Sequence, residues 1–270
     1  MESTKQRLDQ LLVERGLYES RSRAAAAVMA GRVRVGSNGG LEAKPGQQVN
    51  PQVEIVVAAQ APYVSRGGQK LENALKALEL DVRGRHCLDV GSSTGGFTDC
   101  LLQHGATRVA AVDVAYGAIH WSLRRDPRVT VIERFNARSL RPQDLPFSPE
   151  FVVMDLSFIS LTKVLPTVLV TAAAGFHCLA LIKPQFEVGR EGIGKGGVVT
   201  DPTVRHRALV SVGQAVLDLG FAVRGYCSSG LPGPAGNRES FILVDDEVAG
   251  VTDISRAALV AEPEGEIGSR

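Results

Sequence analysis

Residues 87–98 restrict the fold more than any other stretch of the chain: Cys87-Leu88-Asp89-Val90-Gly91-Ser92-Ser93-Thr94-Gly95-Gly96-Phe97-Thr98. A mostly apolar run enters a glycine-rich turn, and the turn enters a segment whose first residues are small and polar. That order predicts a buried strand, a tight loop and a helix. Glycine removes Cβ and permits positive φ, so backbone N–H groups in such a turn can approach a bound nucleotide-like molecule. A second apolar run, Val109-Ala110-Ala111-Val112, ends in Asp113. This acid stands about 20 residues beyond the turn, the spacing at which a carboxylate meets ribose hydroxyls. A strand-to-helix turn that binds nothing would use the same residues, because a single glycine motif is weakly specific.

The glycine spacing separates two ligand classes. The dinucleotide fingerprint needs Gly-x-Gly-x-x-Gly, whereas Gly91 is followed by three non-glycines before Gly95-Gly96. A wider, uncharged loop with Asp89 just ahead of it suits a ligand that lacks a pyrophosphate and carries a cationic amino acid end. S-adenosylmethionine fits that description. The expected contacts are Asp89, Gly91, Ser92, Ser93, Gly95, Gly96, Phe97, Thr98 and Asp155, with Asp113 on the ribose.

From Val82 onward, strand and helix patterns alternate. Strands are expected at 87–90, 108–113, 130–133, 151–155, 178–183, 222–228 and 240–245, with helices at 98–103, 162–174 and 202–219. Such alternation predicts an α/β, doubly wound, mostly parallel Rossmann-like sheet of seven strands, whose ligands sit beyond the carboxyl ends of the strands. Asp113, Asp155 and Lys183 are the polar residues at those ends. Asn136, just past the third strand, could bond an adenine edge or simply form a turn.

Composition removes several classes. The chain has 270 residues and is 44% apolar, enough for one large and one small domain. A net charge of +1 gives no global nucleic-acid signature, so any basic surface is local. The four cysteines, Cys87, Cys100, Cys178 and Cys227, form no C-x-x-C pair, the five histidines lack ligand spacing, and the N-terminus is no signal peptide. These features predict a reducing, cytoplasmic setting and no metal. The uncharged stretch 164–182 is long enough to suggest a membrane span, but Pro166, Gly175 and His177 interrupt it. It reads better as an apolar helix, a turn and a buried strand, with no stable membrane association.

Ahead of this domain, residues 7–15 and 19–31 read as two short helices, the second capped by Ser20, followed by the alternating strand Arg32-Val33-Arg34-Val35. Arg7, Arg21, Arg23, Arg32 and Arg34 are candidate phosphate contacts, since arginine presents a fork suited to phosphate oxygens. Arg-Leu-Asp-x-Leu-Leu, Ser-Arg-Ser-Arg-Ala and Gly-Arg-Val-Arg-Val, in that order, resemble the S4 RNA-binding domain. The resemblance implies recognition of folded RNA through shape and phosphate. The expected organisation is an S4-like α+β module at 1–58, a linker at 59–64, the α/β domain at 65–248 and a flexible tail at 249–270.

The residues after the fourth strand, Asp155-Leu156-Ser157-Phe158, lack the Pro-Pro-aromatic turn used to methylate exocyclic amines, and no cysteine has the Pro-Cys setting used at pyrimidine C5. Oxygen methylation remains. A ribose 2′-hydroxyl is a weak acid and needs a base, and Lys183 at a strand end is the candidate, if burial and a neighbouring cation favour its neutral form. Lys70 is expected at a helix start, which its charge opposes. On residue type alone it is a surface lysine.

Five stretches resemble the FtsJ-type ribose 2′-O-methyltransferases, and with the S4 module they resemble the TlyA family of bacterial rRNA methyltransferases, whose members also carry haemolysin names. They are Ser65-Arg66-Gly67-Gly68-x-Lys70, residues 89–98, Met154-Asp155-Leu156-Ser157-Phe158-Ile159-Ser160, Leu181-Ile182-Lys183-Pro184-Gln185-Phe186-Glu187 and Pro232-Gly233-Pro234-Ala235-Gly236-Asn237-x-Glu239. The resemblance implies a catalytic tetrad of Lys70, Asp155, Lys183 and Glu239. Lys183 would be the base, Asp155 would orient it, Lys70 would depress its pKa, and Glu239 would hold Lys70 and the ribose. It also implies S-adenosylmethionine as methyl donor and cytidine in 16S or 23S rRNA of ribosomal subunits as acceptor. Arg66, Arg190 and Lys195 join the expected RNA contacts. The loop Gly189-Arg190-Glu191-Gly192-Ile193-Gly194-Lys195-Gly196-Gly197 imitates a phosphate-binding loop, but Gly196 replaces its magnesium-binding hydroxyl. A mobile basic lid over RNA is the expectation. Two other classes stay open: a membrane-active haemolysin-type protein, and a non-catalytic RNA-binding assembly factor. Nothing in the sequence fixes an oligomeric state.

Overall fold

The structure is a computed structural model that describes residues 5–29, 31–36, 43–57, 61–247 and 249–261. The chain divides into two compact units at the Ala61/Pro62 junction.

In the first unit, β1 (Gln6–Arg7) leads into α1 (Leu8–Glu14), followed by α2 (Arg21–Met29), β2 (Val33–Val35), β3 (Gln48–Val49) and β4 (Ile55–Val57). β1 pairs with β3 and β2 with β4, both antiparallel. Leu8, Leu11 and Leu12 of α1 pack on Ala24, Ala27 and Val28 of α2, the i, i+3, i+4 stripe that an amphipathic pair buries. Ser20 does cap the second helix, accepting from Arg23 N at 3.3 Å. The two-residue strands β1 and β3 escape sequence reading because alternation needs about four residues to show.

The second unit opens with α3 (Arg66–Ala77). It continues through β5 (His86–Val90), α4 (Gly96–Gln103), β6 (Arg108–Val112), α5 (Trp121–Arg124), β7 (Val129–Ile132) and β8 (Phe151–Met154) to α6 (Leu165–Leu169) and β9 (His177–Ile182). It ends with α7 (Pro184–Glu187), α8 (Pro202–Asp218), β10 (Ala222–Ser228), β11 (Ser240–Asp245) and α9 (Ile254–Leu259). Seven strands form one sheet in the order β10-β11-β9-β8-β5-β6-β7. All neighbours from β9 to β7 are parallel, and β11 alone runs against both its neighbours. The doubly wound expectation therefore holds, with one reversed strand. Both sheet faces are covered: Leu88, Val152 and Ile242 face one apolar cluster, and Cys87, Val153 and Phe241 face the other. Strands buried on both faces read as continuous apolar runs.

Three local expectations differ from the structure. The helix expected at 162–174 is a short turn (Leu161–Lys163) followed by α6, and the uncharged stretch 164–182 ends in β9 at the centre of the sheet. No helix among the described residues is long and apolar enough to cross a membrane. α3 starts at Arg66 rather than near Leu71, so Lys70 sits in its second turn, away from the dipole's positive end. Within the expected tail, α9 buries Ile254 and Ala258 in the core; residues 262–270 lie outside the described residues.

Candidate active site

Strand direction gathers the polar residues. Because β5, β6, β8 and β9 are parallel, the loop after Val90, Asp113 after β6, Asp155 after β8 and Lys183 after β9 all lie at one end of the sheet. β11 is reversed, and Ser240 lies opposite Ile182. That register brings Glu239, just before β11, to the same end as Lys183, just after β9. Lys70 arrives from α3, whose first turn packs so tightly on α4 that a Cβ on Gly96 would lie 2.9 Å from Gly68 N.

The result is a cleft of about 540 Å³ lined by Lys70, Asp155, Lys183, Glu239, Ser157, Arg66 and the 91–97 loop. It contains two ion pairs. Lys70 Nζ lies 2.5 Å from Glu239 Oε2, with side-chain exposures of 8% and 1%. Lys183 Nζ lies 2.5 Å from Asp155 Oδ1, with exposures of 12% and 25%, and donates to Ser157 Oγ at 3.0 Å. The Lys183–Asp155 approach is an ion contact too oblique to count as a hydrogen bond. A buried pair is costly to break, because the surviving charge loses its partner in a low-dielectric setting.

An adjoining pocket of about 370 Å³ shares Gly91, Ser93, Asp155 and Ser157 with the cleft and adds Asp113, Phe135, Asn136, Leu156, Phe158 and Ile159. Asp113 accepts from Ser93 N and Ala115 N, both at 2.7 Å. Each carboxylate oxygen keeps a second lone pair, so a ribose diol can still be bound. Asn136 both lines the pocket and forms a turn: its Oδ1 accepts from Arg138 N at 3.0 Å, which leaves its amide N–H groups for a base edge.

Asp89 has no exposed surface. Thr98 Oγ1 donates to its Oδ2 at 2.6 Å, while Oδ1 has no partner. Burial pushes this carboxyl up to about 7, partly opposed by the Thr98 bond and reinforced by Asp155. The loop glycines are needed for a reason the sequence reading did not anticipate. A Cβ on Gly91 would fall 2.4 Å from Asp155 O, and one on Gly95 would fall 2.3 Å from Leu123 Cδ1. Gly91 (φ +84) and Gly95 (φ +93) also hold left-handed backbone. These glycines let the chain pack on itself and so bring Asp155 against the loop. Phe97 is buried, its ring tilted against that of Phe241 with centroids 5.8 Å apart.

Several site residues lie in the resemblance stretches but were given no role from the sequence. Phe158 is 91% exposed at φ +63 beside the cleft, with its ring 5.3 Å from Phe186. A non-glycine residue in that region costs about 1–3 kcal/mol and marks a functional site more often than chance. Ser157, Ser65, Pro232 and Pro234 complete the cleft wall. Arg66 Nη2 donates to Pro232 O at 2.9 Å.

The expected RNA contacts are partly committed elsewhere. Arg7 and Arg21 both pair with Asp9, at 2.7 and 3.4 Å, and Arg23 pairs with Glu19 at 2.5 Å. The Arg7 bond holds the Asp9 carboxyl below its ordinary range. Arg34 is exposed on β2, between buried Val33 and half-buried Val35, and Arg32 is half-buried. Arg190 and Lys195 are exposed in two single turns, Arg190–Gly192 and Lys195–Gly197, which Pro202 and α8 follow only after an extended stretch.

A parallel sheet with one reversed strand, a glycine loop after β5 and acids after β6 and β8 define a Rossmann-like methyltransferase. The chain belongs to the FtsJ-like methyltransferase family, whose model matches residues 63–245, and an S4 domain model matches residues 6–55. It is 47% identical over 239 residues to the "16S/23S rRNA (cytidine-2'-O)-methyltransferase TlyA" of Mycobacterium tuberculosis, covering 87% of this chain and 88% of that protein. It is 38% identical over 234 residues to "Hemolysin A" of Brachyspira hyodysenteriae, covering 86% and 97%. A solved chain from Streptococcus thermophilus that carries a hemolysin name superposes with TM-score 0.71 at 39% identity, covering 95% of each chain.

Proposed function

We propose that this protein transfers a methyl group from S-adenosylmethionine to the ribose 2′-hydroxyl of cytidine in the rRNA of ribosomal subunits. The observation that carries this reading is the meeting of two lysine–acid pairs, Lys70–Glu239 and Lys183–Asp155, in one cleft that continues into a nucleoside-sized pocket. The relatives' printed names supply the acceptor: rRNA cytidine for the mycobacterial protein, and 23S rRNA cytidine for one from Campylobacter jejuni that is 34% identical over 180 residues.

The residues fit the methyl donor. S-adenosylmethionine, when bound, supplies a methyl group on a sulfonium centre and a cationic amino acid end. Asp113 would hold its ribose, Asn136 and the apolar wall of Phe135, Leu156 and Ile159 its adenine, and the 91–96 loop over Asp89 its amino acid end. Asp89 lines neither pocket, but its partnerless Oδ1 lies behind the loop, where the field of an arriving cation would favour its ionised form. On the acceptor side, Lys183 Nζ would take the proton of a 2′-hydroxyl whose oxygen bonds to the methyl group while the methyl–sulfonium bond breaks to leave a neutral thioether. Asp155 and Ser157 orient that amine, and Lys70, fixed by Glu239, supports the developing oxyanion. The S4 module and Arg66, Arg190 and Lys195 engage RNA phosphates.

The test is methyl transfer by the full-length protein from labelled S-adenosylmethionine to isolated ribosomal subunits, followed by mapping of 2′-O-methyl positions. Label at a cytidine 2′-oxygen is expected. Label on a base, or RNA binding without transfer, contradicts the proposal.

A further inference from the structure

The two segments that carry the proposed base and its partner leave adjacent strands and then diverge. Asp155 is fixed where it leaves β8, its N–H donating to Val90 O at 2.9 Å. Lys183 leaves β9 and turns at once into the single helical turn α7. Three residues beyond α7's first, Glu187 reaches back across the gap. Its Oε1 accepts from Leu161 N at 2.8 Å, and its Oε2 accepts from Ser160 Oγ at 2.6 Å. The Phe158–Phe186 ring contact lies between the same two segments. Glu187 thus closes a ring: β8 pairs with β9 at one end, Lys183 meets Asp155 and Ser157 in the middle, and a two-pronged carboxylate clamp lies at the far end.

Glu187 has no ion pair among the described residues, and burial raises its pKa, opposed by the Leu161 and Ser160 bonds. An acid without a cation is a poor choice for stability alone. It suits a place where two loops must be held in one register, and the loop it clamps holds Phe158 in left-handed backbone.

Resting on the function proposed above, we infer that Glu187 is a positioning residue for methyl transfer: it holds the 155–161 loop against the 183–187 turn so that Lys183, Asp155 and Ser157 stay in contact. It touches neither the proposed cofactor pocket nor the ribose cleft. Its loss should therefore lower turnover far more than it weakens ligand binding.

The experiment compares full-length wild type, Glu187→Ala, Glu187→Gln and Ser160→Ala in single-turnover methylation of ribosomal subunits, alongside S-adenosylmethionine binding by calorimetry. Displacing a base by about an ångström costs on the order of a hundredfold. Glu187→Ala should lose about that much in the transfer rate, with cofactor Kd and subunit KM within about threefold of wild type. Glu187→Gln, which can still accept from Leu161 N, should recover much of the rate. Ser160→Ala should lose less than Glu187→Ala and add little to it in combination, since both remove one clamp. The inference is overturned if Glu187→Ala turns over like wild type, if Gln does no better than Ala, or if cofactor and RNA binding fall in step with rate. Wild type that binds cofactor but transfers no methyl overturns the functional reading itself, a result separable from any behaviour of the variants.

Discussion

Replacing Asp89 by asparagine should make the protein more stable, and the gain should grow with pH. Asp89 is wholly buried, bonded on one oxygen by Thr98 and unpartnered on the other. Its carboxyl is pushed from the ordinary 3.8 up to about 7, chiefly by burial. Below pH 4 the group is protonated in folded and unfolded chains alike and contributes no pH dependence. Between pH 4 and 7 the unfolded chain releases the proton while the folded chain keeps it, so stability falls as pH rises. Above pH 7 both are ionised and the full penalty stands, about 4 kcal/mol at most. Asparagine keeps the Thr98 bond through its carbonyl and resembles the protonated acid in shape. Asp89→Asn should therefore melt close to wild type at pH 4.5 and several degrees above it at pH 8, on the order of 5–10 °C for a unit of this size. Scanning calorimetry of both proteins at several pH values between 4.5 and 8 makes the comparison. A melting difference that is flat across this range, or that favours wild type at pH 8, refutes the reasoning. The stabilised variant should also hold S-adenosylmethionine less tightly, the usual trade between a strained site and its stability.

Two further outcomes follow. Glu239→Ala strands the Lys70 ammonium in a site where its side chain is 8% exposed; it should cost about 3–5 kcal/mol in chemical denaturation and abolish transfer. Glu239→Gln should destabilise less. In the first unit, Arg34→Ala should weaken RNA binding uniformly across sequences and reduce the slope of log K against log salt by about 1. Arg7→Ala should instead also lower stability, because Arg7 is bonded to buried Asp9. Filter binding over a salt series, read beside melting curves, separates the two.

What was legible in the sequence follows from what repeats. The inner strands could be read because strands covered on both faces are continuous apolar runs, and the polar residues after β6, β8 and β9 then fall at the ligand end of a parallel sheet. Lys70 could not be read this way. It lies on a helix whose first turn contains Gly67 and Gly68, residues that argue against a helix, and only the resemblance to the family singled it out. Gly68 stands there because the Tyr63 ring occupies the space where a Cβ would be, a tertiary reason that local propensity cannot express. The 91–96 glycines were singled out for backbone freedom, which positive φ at Gly91 and Gly95 bears out, and close chain packing on Asp155, Leu123 and Gly68 adds a tertiary reason. Phe158 and Glu187 lie in stretches that resemble the family, but no role could be read for either. Left-handed backbone at a phenylalanine and a clamp between segments 26 or 27 residues apart become visible only once the strands are placed side by side.

The central claim is that Lys183 carries the proton in methyl transfer, and Lys183→Ala measures it most directly. Transfer from labelled S-adenosylmethionine to ribosomal subunits should fall by about 10²–10⁴-fold, while calorimetry shows the cofactor bound as tightly as by wild type. Undiminished transfer by this variant, at a mapped 2′-oxygen, would contradict the account.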